Sequence, residues 1–205
     1  MSDGAARLAA RYPMVWHVIE ADGAGPWVAT MGLLPAAELL RRAGATADGR
    51  NRDDFRRVSL DNSAVALLRP QRMPDAALTP TLGGRFRGRP DAWRQLIDSH
   101  VFFWTEPGRC DRFVGACVRL RATSRAAGGT SRPVVLAFDT AALLELHGEY
   151  AYISRFNAGS TVRGGARVRR DETTLVPLAD YRSGRVAELG LRWPAGVRLA
   201  PSSVI

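Results

Sequence analysis

The chain has 205 residues, of which 46% are hydrophobic and 24% charged, with a formal net charge of +9. This length builds one domain with a sizeable core, and the composition excludes a disordered or fibrous chain. No apolar run approaches the roughly 18 residues of a membrane-spanning helix, and the opening Met1-Ser2-Asp3-Gly4 lacks the basic-then-apolar pattern of a secretory signal, so no membrane and a cytoplasmic location are expected.

In chain order, Met14-Val-Trp-His-Val18 predicts a short apolar strand carrying His17. A helix is expected from Pro26, a residue suited to the first helical position, to Gly32, suited to the C-terminal cap. Trp27, Val28 and Met31 supply its apolar face. A second short helix is expected over residues 36–43, and the polar stretch 44–58 reads as loop. Ala64–Arg69 predicts a strand running into Pro70-Gln-Arg-Met-Pro74, whose prolines exclude regular structure. Residues 79–90, with Gly83, Gly84 and Gly88, predict a flexible loop. Pro90 opens a helix to about Asp98.

His100-Val-Phe-Phe-Trp104 is a strong strand, apolar on both faces after His100 and therefore expected to be central. Residues 107–122 predict a helix with Phe113, Cys117 and Leu120 as its stripe. Cys110 and Cys117 share one face of it about 10 Å apart along the axis, too far for a disulfide. Residues 123–130, rich in small residues, are expected to be a loop. Pro133–Phe138 predicts a strand, and Asp139 or Thr140 caps a helix to about His147. A strand at Tyr150–Ser154, a polar turn at Asn157-Ala-Gly-Ser-Thr161, a basic glycine loop at Arg163–Arg170, and strands at Thr173–Pro177 and Val186–Trp193 complete the chain. Helices and strands mix without regular βαβ alternation, so the fold class is α+β in a single domain over residues 1–205.

All 29 basic residues are arginine. Residues 1–50 are neutral, whereas residues 151–205 hold nine arginines against four acids, concentrating the basic excess near the C-terminal end. Arginine suits bidentate phosphate contacts, so a nucleic-acid partner is a reading the charge allows, beside the plainer one that an all-arginine, alanine- and glycine-rich chain reflects a GC-rich genome. The three histidines and two cysteines have no zinc spacing, and no metal is expected. No dinucleotide-binding glycine motif, P-loop, nucleophile elbow or HExxH pattern occurs.

Tyr12-Pro-Met-Val-Trp-His17 followed by Gly32-Leu-Leu34 resembles the opening of ADP-ribosyltransferase-like domains, especially DNA-modifying toxins of the DarT type and RNA 2′-phosphotransferases. Leu68-Arg-Pro-Gln-Arg-Met-Pro-Asp75, His100–Trp104, Phe138-Asp-Thr-Ala-Ala142 and Asn157–Thr161 are similar to an uncharacterised bacterial family of unknown function, over nearly the whole chain. The transferase resemblance implies a split β-sandwich with short flanking helices that takes NAD as substrate and passes ADP-ribose to an acceptor such as nucleic acid. It implies that His17 bonds a ribose hydroxyl, that Phe102, Phe103 or Trp104 stacks on the nicotinamide, and that Glu172 in Arg169-Arg-Asp-Glu172 is the catalytic carboxylate. Arg69, Arg72 and Arg170 are then candidates for the pyrophosphate, and Asn157, Ser160 and Thr161 for the nucleotide or the first strand. Two alternatives stand beside it: a non-catalytic nucleotide- or partner-binding module on the same scaffold, and phosphate removal from an RNA 2′-phosphate.

Overall fold

The computed structural model describes residues 1–20, 28, 31–60, 64–124, 132–160 and 168–192. Helix α1 spans Asp3–Arg11, and the Ser2 side chain caps it by accepting from the Ala5 amide. Strand β1 covers Met14–Glu20 and helix α2 Ala36–Arg42. Next come β2 (Arg56–Ser59), β3 (Val65–Leu68), the single-turn α3 (Asp75–Leu78) and α4 (Pro90–Asp98). Strand β4 covers His100–Trp104, α5 Pro107–Thr123, β5 Pro133–Asp139 and α6 Thr140–His147. Strands β6 (Ala151–Ser154), β7 (Val176–Pro177) and β8 (Glu188–Arg192) complete the elements.

The expected mixture of helix and sheet is met. Six strands form one antiparallel sheet in the order β5-β1-β4-β8-β6-β7, and β2 and β3 pair separately. Strand β4 is central, as its two-faced apolarity requires. Side chains alternate between the faces. Val15, Val101, Phe103, Ile153, Leu189 and Leu191 point to one face, where α1, α6 and the turn at Leu178–Tyr181 close the main core. Trp16, Val18, Phe102, Trp104, Tyr152 and Glu188 belong to the other face. That face is walled by α5, by the β2–β3 pair with α2, and by α4 with residues 73–86.

Several sequence expectations change. Residues 3–11 form a helix that the reading did not include. Part of the polar stretch 44–58 is strand β2, because Val58 can bury against Ala66 and Leu68 once β3 lies beside it. Residues 79–90 are not an open loop: Leu82, Gly83 and Phe86 are buried, and Phe86 packs edge-on to Trp93 at 5.1 Å. Only Val176–Pro177 of the expected strand 173–177 pairs. Most of the expected helix 26–32 lies outside the described residues. Its C-terminal end is visible: the Gly32 amide donates to the Val28 carbonyl, and Gly32 has φ of 74°, a conformation glycine adopts without strain.

The feature that positions the site is an opening in the sheet. Strands β1 and β5 pair along seven residues, but β1 and β4 pair only at Trp16 and Trp104. Extending that antiparallel register by two residues would set Val18 opposite Phe102. Instead the strands part there, and side chains take over the freed backbone groups. His17 Nδ1 bonds the Phe102 carbonyl at 2.7 Å, and the Arg69 guanidinium donates to the Val18 carbonyl. Buried carbonyls need such partners, so the opening is stabilised by these two side chains.

Candidate functional site

A cleft of about 320 Å³ lies at this opening. Its lining includes His17, Glu20, Arg69, Arg72, Phe102, Trp104, Asn157 and Glu188. The elements that bring them together are β1, the proline-rich bend after β3, β4, the turn after β6, and β8.

His17 is neutral. Burial lowers its pKa to about 4, the Arg69 charge pushes the same way, and the bond to the Phe102 carbonyl only partly opposes them. Because a carbonyl oxygen can only accept, Nδ1 carries the hydrogen and Nε2 is the acceptor nitrogen. The ring also packs against Phe103 at 5.5 Å.

Arg69 is anchored on several sides. Its guanidinium lies 4.9 Å over the Phe113 ring, approaches the Cys117 sulfur at 3.7 Å and stands 3.9 Å from the Glu20 carboxylate. Glu20 in turn forms a buried 2.6 Å ion pair with Arg121. The bend that carries Arg69 and Arg72 is held by Arg52, which pairs twice with Asp98 at 2.6 and 2.8 Å, and by Gln71, which donates to the same carboxylate. Arg72 donates to the Asp53 carbonyl at 3.1 Å and keeps its exposure.

Glu188 was not among the residues singled out from the sequence. It is 4% exposed, and burial raises its pKa to about 8, with the Ala158 amide and the Arg109 charge pulling the other way. It is therefore mostly protonated at pH 7. One oxygen accepts from the Ala158 amide at 2.8 Å, tying β8 to the turn that carries Asn157. The only sequence signal is a lone acid in the apolar run Val186-Ala-Glu-Leu-Gly-Leu191, which a strand can accommodate only if its carboxyl finds a partner.

The cleft gathers some of the expected residues and leaves others elsewhere. His17, Arg69, Arg72, Phe102, Trp104 and Asn157 line it. Phe103 is fully buried on the opposite face, edge-on to Phe138 at 5.3 Å. Ser160 sits in the turn, its amide donating to the Asn157 carbonyl, and does not line the cleft. Thr161 lies outside the described residues. Arg170 is 1% exposed, with its guanidinium over the Phe156 ring at 5.6 Å and its backbone bridged to Leu82, so its charge does not face the cleft. Glu172 is exposed and accepts from the Arg85 amide at 2.5 Å, which holds its pKa below the usual carboxylate value. It does not line the cleft. Among the described residues no cluster of three or more His, Cys, Asp or Glu could hold a metal ion, and no helix is long and apolar enough to cross a membrane.

The model of a family of unknown function, DUF7002, matches residues 13–192. The chain belongs to DUF7002. The matched span contains the whole cleft, from His17 on β1 to Glu188 on β8, and it bears out the resemblance to an uncharacterised family over nearly the whole chain. No curated protein and no solved structure matches this DUF7002 chain.

Proposed function

We propose that the cleft binds NAD and that the chain is an ADP-ribosyltransferase-like enzyme with a nucleic-acid acceptor. The reading rests on one observation: the neutral His17, the rings of Phe102 and Trp104 and the buried Glu188 carboxyl line a single cleft where the sheet opens, while the other two buried carboxyls there, Glu20 and Asp98, are paired with arginines. About 320 Å³ is at the small end of the range for small-molecule sites, so the cleft takes the nicotinamide–ribose half and leaves the rest of the dinucleotide toward Arg72.

In this reading Glu188, not Glu172, supplies the carboxylate. His17 Nε2 accepts from a ribose hydroxyl, and Phe102 or Trp104 offers a ring face to the nicotinamide. The cationic nicotinamide ring favours loss of the Glu188 proton, because an opposite charge nearby stabilises the charged form. The resulting carboxylate faces the positive charge that develops at the ribose carbon as the glycosidic bond breaks. Arg69 is engaged with Val18, Cys117 and Glu20, so it fixes the opening, and Arg72 is the arginine with charge to offer a phosphate.

Calorimetry with NAD and an assay of nicotinamide release test this. Binding and release by the wild-type chain are expected. Release should fall at least a hundredfold in Glu188→Gln and His17→Ala, and stay near wild type in Glu172→Gln. Absence of both binding and release overturns the reading. The attachment of Glu188 to the Ala158 amide favours a second reading, a nucleotide-binding module in which Glu188 only secures the turn. Binding without release in any acceptor mixture would establish it.

A further inference from the structure

Away from the cleft, two segments distant in sequence are fastened into one ridge. The Arg170 amide donates to the Thr81 carbonyl and the Gly83 amide to the Arg170 carbonyl, each at 2.8 Å. Glu172 then takes the Arg85 amide. Two glycines lie along this approach. A Cβ on Gly84 would collide with the Glu172 carboxylate, and one on Gly83 with the Arg169 guanidinium. Gly84 also has φ of 53°, where a side chain is strained. The motif Gly83-Gly84 thus serves contact with residues 169–172, and Glu172 has a structural task there.

The fastening determines where charge appears. Arg85, Arg87, Arg89 and Arg169 are all exposed on the two joined segments. Arg87 and Arg169 line one recess of about 300 Å³ between them, together with Gly83. Arg87 and Arg89 have no ion-pair partner among the described residues. Residues 83–89 and 168–172 hold five arginines and two carboxylates. Arg170 is buried, and both carboxylates are engaged: Asp171 with Thr173 and with Arg169 at 3.1 Å, Glu172 with the Arg85 amide. The exposed face therefore presents four arginines against two carboxylates, one of which, Asp171, pairs with Arg169, so positive charge remains in excess there. Planar guanidinium groups held close together match the oxygens of a phosphodiester chain. They also release counterions when a polyanion binds.

We infer that this ridge is a nucleic-acid backbone site, with phosphate seated in the recess between Arg87 and Arg169. It rests on the proposed acceptor class but not on NAD, so it is tested without NAD. Fluorescence anisotropy with labelled single-stranded DNA and single-stranded RNA of equal length, from 50 to 300 mM salt, gives affinity and its salt dependence. Wild type should bind at least one of the two polymers, and the tighter arm identifies it. Arg87→Ala/Arg169→Ala should weaken binding about tenfold or more. It should also reduce the log–log salt slope by about 1.4, the value for two phosphate contacts on a single strand. Arg112→Ala/Arg119→Ala, which removes the same charge from the exposed side of α5, should change affinity less than threefold. No salt-dependent binding by wild type, wild-type affinity in the ridge variant, or an equal loss in the α5 variant overturns the site. Circular dichroism melts confirm that each variant is folded. Loss of NAD binding with retained oligonucleotide binding would remove the transferase reading and leave the ridge standing.

Discussion

His17 and Phe102 are joined by a 2.7 Å hydrogen bond across the point where β1 and β4 separate. Trp16 and Trp104 are the last backbone pair before the opening. The imidazole therefore does what a ladder amide would otherwise do, and it leaves Nε2 as the acceptor nitrogen of the cleft. In the proposed function the same ring also contacts the ligand, so the two roles can be separated by mutation.

His17→Ala leaves the Phe102 carbonyl without its donor and should cost about 1–3 kcal/mol, read by urea unfolding at pH 7.5. His17→Asn places an amide N–H near the position of Nδ1 and should recover part of that loss. It has no equivalent of Nε2, so NAD affinity should stay low in both variants. Equal stability of wild type and His17→Ala would remove the proposed role of this bond in holding the opening.

The pH dependence of His17 has a definite sign. Its folded pKa of about 4 lies below the ordinary 6.5, so the unfolded chain binds the proton more readily. The contribution is present above pH 6.5 and is lost as pH falls toward 4, with a size on the order of 3 kcal/mol. The stability gap between wild type and His17→Asn should therefore narrow between pH 6.5 and 4. Unfolding curves at half-unit pH steps measure it, and a constant gap would contradict a half-buried neutral imidazole.

Glu188 acts in the opposite direction. Its folded pKa of about 8 lies above the ordinary 4.5, so burial destabilises the fold as pH rises through that window. Glu188→Gln keeps an oxygen to accept from the Ala158 amide and removes the ionisation. It should match wild type near pH 4.5 and become more stable as pH rises, by about 4–5 kcal/mol at pH 8 and above. An NAD-dependent proton release near pH 7 in wild type, absent in the variant, is the accompanying calorimetric signature.

The buried Glu20–Arg121 pair gives a test of the cleft's far wall. Breaking a buried ion pair by removing one partner is costly, so Glu20→Ala should cost about 3–5 kcal/mol. Arg121→Met in the Glu20→Ala background should restore part of it. A double variant as unstable as the sum of both losses would show that the two side chains do not depend on each other.

Gly84→Ala should be destabilised by more than about 1 kcal/mol, because it combines a positive φ with a collision at Glu172. In the Glu172→Ala background the penalty should shrink to the conformational strain alone. Thermal melts of the four chains in this cycle decide it.

Periodicity and alternation made much of the fold legible. The run Met14–Val18, the two-faced apolarity of His100–Trp104 and the Asp139 cap of α6 are local signals, and each produced its element at nearly the expected place. The Asp139 side chain accepts from the Ala142 amide at 2.8 Å, as such a cap should. The N-terminal helix was missed because its apolar side is carried by Gly4, Ala5 and Leu8, a weak pattern before it packs. Residues 56–59 were hidden because three of the four are exposed, and only the pairing with β3 gives them a reason to be extended.

His17 could be singled out by sequence because a polar ring in an apolar strand is visible locally. The sequence by itself also determined the central position of β4 and the separation of the two cysteines, since both follow from spacing along one element. Which carboxylate shares a cleft with His17 was beyond it. Glu172 stands beside charged neighbours and looks available, yet it is used to hold residues 84 and 85. Glu188 is surrounded in sequence by apolar residues and looks structural, yet β8 pairs with β4 and sets it opposite Trp104. That register depends on strands more than eighty residues apart, and on where β1 turns away from β4. Only the tertiary structure decides it, because local composition records what a side chain is but not which distant backbone comes to lie beside it.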